Sequence, residues 1–156
     1  MKKLEILLIA GAVIGLLMVL FNVPMHTLVV TLFFLALGIL YYCLGFALFN
    51  GIRFRDMLKA DSYKGIGVWR IVIAIGTGMA ISWLTIGFMF SILTYPMTRT
   101  FLIAGAAFAA IMIVPTIIKN AKDKNPFYRK IILRCLVFII IGVIFLFLSG
   151  HIFGNP

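Results

Sequence analysis

The sequence predicts an all-α polytopic integral membrane protein with five transmembrane helices, the N-terminus inside and the C-terminus outside. Three observations predict this. First, 64% of the 156 residues are hydrophobic, against about 45–50% in a soluble domain. Second, these residues are gathered into runs as long as the ~18 or more apolar residues that cross a ~30 Å hydrocarbon core. Third, the charge balance is lopsided. The 14 Lys and Arg against 4 Asp and Glu give a net charge of +10, and every basic residue except Arg99 falls on one side of the alternating runs. Cytoplasmic loops carry such an excess. A basic soluble chain would suggest nucleic acid, but charges confined to loops between apolar runs read as an orientation signal, so no nucleic-acid partner is expected.

The first span covers Leu4–Phe21. Met1-Lys2-Lys3 resembles the opening of a secretory leader, but no small-x-small cleavage site follows, so the run is expected to stay as a span. Gly11 and Gly15 lie four apart, on one helical face, where a second backbone can approach closely. The turn Asn22–His26 is built around Pro24, which lacks an N–H and disfavours helix in the residue before it. The second span covers Thr27–Phe49, contains Tyr41 and Tyr42, and ends at Asn50-Gly51, a C-cap pair. Residues 1–50 thus form an N-terminal hairpin.

Residues 51–67 form a basic loop. Phe54, Met57 and Leu58 recur at helical spacing among Arg53, Arg55, Lys59 and Lys64, so a helix lying in the membrane surface and an ordinary loop both fit. The rest of the chain, 68–150, supplies three spans. Val68–Leu93 opens on Trp69 and Arg70, an interfacial pair. It holds Ala74, Gly76, Gly78, Ala80 and Gly87, and its Thr77, Ser82 and Thr85 hydroxyls are expected to bond carbonyls of the preceding turn. The turn Thr94–Thr100 contains Pro96. Phe101–Ile118 carries the narrow stretch AGAAFAA and is expected inside the bundle, with Pro115 kinking or closing it. The loop Lys119–Lys130 is basic. Ile131–Ser149, with Arg134 near its start, lacks polar residues and is expected to face lipid. A short tail, 151–156, lies outside. No internal repeat is evident: the later spans do not restate the first hairpin, leaving an inverted-repeat transporter unsupported.

Little catalytic chemistry is visible. Glu5, Asp56, Asp61 and Asp123 are the acids, all expected at the cytoplasmic surface rather than within the membrane, where ionisable groups mark proton paths. His26 and His151 share the outer side without a carboxylate or thiol to complete a metal site. Cys43 and Cys135 read as small buried hydrophobes. No enzyme activity, cofactor or metal is expected. The basic residues Arg53, Arg55, Lys59 and Lys64, with Lys119, Lys122, Lys124, Arg129 and Lys130, are candidate contacts for anionic head groups, at ~1 kcal/mol each near a membrane surface, or for partner subunits.

One family resemblance is carried by Gly11-Ala12, Gly15, Phe21, Asn22-Val23-Pro24 and the apolar run up to Asn50. This stretch resembles the N-terminal hairpin of the gliding-motility and type IX secretion motor proteins (GldL-like) of Bacteroidota. The resemblance implies a hairpin fold and a bacterial lineage. The motor family places a glutamate in its second span; Thr27–Phe49 has no acid. The family turn has His two residues before Pro and Gly after it; Asn22 and Met25 stand there. Three spans replace the family's large cytoplasmic region. Motor function is therefore not expected. The sequence points instead to a non-enzymatic interaction or assembly component of a bacterial inner-membrane complex, with lipids, other membrane subunits or itself as partners. A transporter or channel component for a small neutral or lipidic solute is the second reading, with Thr77, Ser82, Thr85 and the span-two tyrosines as its polar contacts.

Overall fold

The computed structural model describes residues 1–57 and 59–151, with Phe54, Ala60, Ser149, Gly150 and His151 described by backbone alone. It is helical, with α1 Lys2–Leu20, α2 His26–Asn50, α3 Val68–Ile92, α4 Thr98–Asp123 and α5 Pro126–His151. All five are long and apolar enough to cross a membrane. At ~1.5 Å per residue, the 25 residues of α2 or α3 exceed the ~30 Å hydrocarbon core. Such a set is that of a multi-pass membrane protein.

Short connections make neighbouring helices run up and down. One end holds the α1–α2 and α3–α4 turns; the other holds the basic loops. At the turn end the two connections are built alike. Asn22 and Thr94 adopt left-handed conformations (φ 50° and 55°), as do Met25 and Met97 (φ 67° and 70°). The Val23 amide donates to the Met18 carbonyl, and the Tyr95 amide to the Phe90 carbonyl, both at 2.9 Å. This closes each helix with a left-handed C-cap and its long-range amide bond, and a proline follows because it cannot continue the helix.

The likeness extends into the helices. Ile14-Gly15 and Pro24-Met25 recur as Ile86-Gly87 and Pro96-Met97. A Cβ on Gly15 would meet Val30 Cγ2 at 3.1 Å and one on Gly87 would meet Leu102 Cδ2 at 2.7 Å. Val30 and Leu102 stand in the same place within the two hairpins, and both are fully buried. The sequence shows no repeat beyond these few residues, yet α1–α2 and α3–α4 share one turn geometry and one glycine approach and point the same way.

The centre of the bundle is α3, not α4. Within their most apolar windows α3 is 61% buried and α4 only 22%. Small residues explain the difference, by the faces they occupy. Gly78 approaches α2 so closely that a Cβ there would lie 2.6 Å from the Tyr41 carbonyl, while Gly76 and Gly87 face Met112 and Leu102 of α4. Gly105 of α4 receives Leu84 of α3, but Ile103, Ile111, Val114, Ile117 and Ile118 of α4 are exposed. The small residues of α4 therefore make one close stripe. In α5, Leu133, Ile140, Ile144 and Phe147 face outward, as its composition suggested.

Two stretches differ from the sequence reading. Of the two expectations for Pro115, closing is the one that fails: it lies inside α4 without ending it, and helix continues through Lys119–Asp123, because long basic side chains can ride out from a helix end. The connection to α5 shrinks to Lys124, in a left-handed conformation, and Asn125, whose Oδ1 accepts the Phe127 amide at 2.9 Å. Between α2 and α3 the backbone makes two short 3-10 turns, Phe54–Asp56 and Ala60–Tyr63, rather than one surface helix. Leu58 and the Phe54 side chain, on which that helix's apolar face depended, lie outside what is described, as does the tail 152–156. Tyr63 stacks on Phe46 at 5.4 Å and donates to the Met57 carbonyl, tying the loop to α2. As expected, α2 ends at Gly51 in a left-handed C-cap, φ 74°.

Candidate functional site

At the basic end the first turn of α1 meets the second half of α2 and the early part of α5. Glu5 points into this junction and is 6% exposed. The Tyr41 hydroxyl donates to Glu5 Oε1 at 2.8 Å. The Arg134 guanidinium donates to Oε1 at 2.8 Å and to Oε2 at 3.4 Å. Aromatic rings close the cluster: Arg134 lies 5.3 Å from the Phe49 ring centroid, and Tyr41 meets Phe138 edge-on at 5.7 Å. Glu5 is therefore not a surface acid, and Arg134 turns inward rather than snorkelling. A bare carboxylate among apolar side chains is costly, and charged groups are buried only with partners; Arg134 and Tyr41 supply them.

A cavity of about 620 Å³ opens above this cluster. Lys2, Arg70, Lys130 and Arg134 line it together with Asn50, against walls of Leu48, Phe49, Phe127 and Ile131. The Arg70 guanidinium stacks over the Phe127 ring, 4.6 Å from its centroid. Arg70 Nε and Asn50 Oδ1 are buried without a hydrogen-bond partner among the described residues. A second cavity of about 460 Å³ lies under the α2–α3 loop, lined by Arg53, Asp56, Ser62, Lys64 and, again, Asn50 and Arg70.

The structure separates most of the residues singled out by sequence. Gly11 and Gly15 are buried against Phe33 and Val30 of α2, while Asn22 and Pro24 form the exposed turn. Arg53 and Lys64 reach the second cavity and Lys130 the first. Lys59 pairs with Asp56 at 2.8 Å and Lys64 with Asp61 at 2.7 Å; the Lys59 ammonium holds the Asp56 carboxyl below the usual carboxylate range. Lys119 sits over the Trp69 ring at 5.5 Å. Arg55, Lys122, Lys124 and Arg129 are exposed and join neither cavity.

Sequence reasoning missed Lys2, Glu5, Tyr41, Arg70 and Arg134 as a group. The available signal was that Glu5 and Arg134 stand inside otherwise apolar runs and carry opposite charges.

The hydroxyls of α3 behave unevenly. Thr85 donates to the Ile81 carbonyl at 2.8 Å, as expected. Among the described residues Thr77 has the Cys135 thiol, a weak partner, as its polar neighbour and no regular hydrogen-bond partner. Neither cavity reaches Thr77, Ser82 or Thr85. His26 Nδ1 lies 3.0 Å from the Val23 carbonyl within the turn; the His151 side chain lies outside what is described. Cys43 is exposed and Cys135 buried, both as free thiols, so the expectation of burial fits Cys135 alone. Among the described residues no three His, Cys, Asp or Glu side chains gather in a metal-binding group. Comparison with family models, with curated proteins and with solved structures finds no match.

Proposed function

We propose that this protein resides in the inner membrane of a bacterium, N-terminus inside, and serves as a non-enzymatic interaction or assembly component of an envelope complex. The supporting observation is the Glu5–Tyr41–Arg134 cluster. The acid that enters a helix is held by a hydroxyl and a guanidinium at the basic end, an arrangement that fastens α1 to α2 and α5. A motor or proton path calls for an acid free to exchange its proton within the membrane. The resemblance of residues 4–50 to the motor-protein hairpin enters this proposal as a packing unit only.

The second reading, a transporter or channel component for a small neutral or lipidic solute, draws on the buried hydroxyls of Thr77 and Ser91, which lack regular partners among the described residues. Purification from native membranes after mild crosslinking separates the two. The assembly role expects a stoichiometric membrane-protein partner or a second copy. A lone protein whose reconstituted vesicles pass solute overturns it.

A further inference from the structure

We propose that the cavity at the basic end is a lateral binding site for one anionic glycerophospholipid, its phosphodiester held by Lys2, Arg70 and Lys130. The inference rests on membrane insertion, not on the assembly role.

Four cations line the cavity with one carboxylate, and Glu5 is already engaged by Tyr41 and Arg134. Lys2, Arg70 and Lys130 form no ion pair with an acid among the described residues. Their charge is therefore uncompensated, and an anion fits it. Arg70 is also held in place. Its guanidinium is stacked on Phe127, and its buried Nε–H lacks an acceptor. A fixed guanidinium with a free donor suits a phosphate oxygen. Asn50 Oδ1, also buried and unpartnered, can accept a headgroup hydroxyl.

The walls and the mouth favour a lipid over a soluble anion. Beside the cations the lining is apolar, and two of its residues, Ile6 of α1 and Leu133 of α5, are 65% and 63% exposed. These side chains face the hydrocarbon when the helices span a bilayer. The opening between α1 and α5 thus lets acyl chains leave sideways while the phosphate stays with the cations. Basic pockets between spans on the cytoplasmic side recognise anionic head groups in this way. The floor is the Glu5–Arg134 pair, which stops the headgroup from moving deeper.

The test uses the full-length protein in mixed micelles of phosphatidylglycerol and phosphatidylcholine with matched acyl chains, with retained lipid read by native mass spectrometry. Wild type is expected to retain phosphatidylglycerol about tenfold over phosphatidylcholine. The double variant Lys2→Gln/Lys130→Gln is expected to lose most of that preference and to retain the two lipids about equally, since two residues at ~1 kcal/mol each cover a tenfold difference. Lys122→Gln/Lys124→Gln, two exposed lysines outside both cavities, should keep it. Absence of headgroup preference, or equal loss in the two double variants, overturns the site. Displacement of the lipid by millimolar inorganic phosphate also overturns it, by showing a site for free anions. None of these results changes whether a protein partner co-purifies.

Discussion

Arg134 has two partners on different helices, and removing it tests how the basic end is held. Arg134→Leu leaves the Glu5 carboxylate buried against Tyr41 without a counter-charge. Breaking a buried pair this way costs about 3–5 kcal/mol. The Arg134 side chain is 35% exposed, so solvent screening places the expected loss at the lower end, about 2–3 kcal/mol. Glu5→Leu/Arg134→Leu removes both charges and should recover most of it, because matched apolar replacements of an ion pair are often neutral. Thermal unfolding in detergent, followed by circular dichroism, reads the difference; a double variant as unstable as the single would show that the pair's packing, not its charge balance, matters. The partners are 129 positions apart and meet because α1 and α5 both pack against α2 and bring their early turns to the same end. Each charge was legible in sequence as an oddity within an apolar run. Their meeting was not, since it depends on how five helices are arranged, which no local pattern encodes. Asp56 behaves differently. Lys59 depresses its folded value, so the pair's contribution is present above the ordinary carboxylate value and fades as pH falls through the lowered one. Because Asp56 lies in an exposed loop, Asp56→Asn should leave the bundle's melting unchanged at neutral pH.

The hairpins are where the chain's close packing is set. Gly45→Ala would place a Cβ 2.9 Å from Gly78 Cα, backbone that has no rotamer by which to yield. Forcing α2 from α3 should cost about 1–3 kcal/mol, the usual range for overpacking, whereas Gly67→Ala, with nothing within 4 Å, should be tolerated. Melting temperatures of the two variants give the comparison. Because the two turns share left-handed positions and amide bonds, exchanging residues 22–25 with 94–97 should leave melting within a few degrees of wild type; collapse of expression would show that each turn is specific to its own helices. Helix existence and the two proline turns were readable from run length and from Pro24 and Pro96. The place of α4 was not, since AGAAFAA states that a neighbour can come close but not from how many sides. The continuation of α4 through Lys119–Asp123 was hidden for another reason: charge marks the end of the apolar run, and helix does not end where hydrophobicity does.

The whole molecule is two hairpins in succession with α3, the first arm of the second hairpin, at the centre and α5 closing one flank. If the chain is inserted as proposed, a reporter fused after Pro156 is active only in an extracytoplasmic assay, and one inserted in the α2–α3 loop only in a cytoplasmic assay; the reverse pattern would invert the molecule. The matching turns carry a consequence for how such a chain is threaded. A doublet of helices brings the chain back to the end it started from, so the second doublet is threaded with the polarity of the first, and its turn and loop fall at the same ends. Doublets alone can never deliver the chain to the opposite face. That crossing belongs to α5, the unpaired helix, whose first turns also carry the arginine that fastens it to α1.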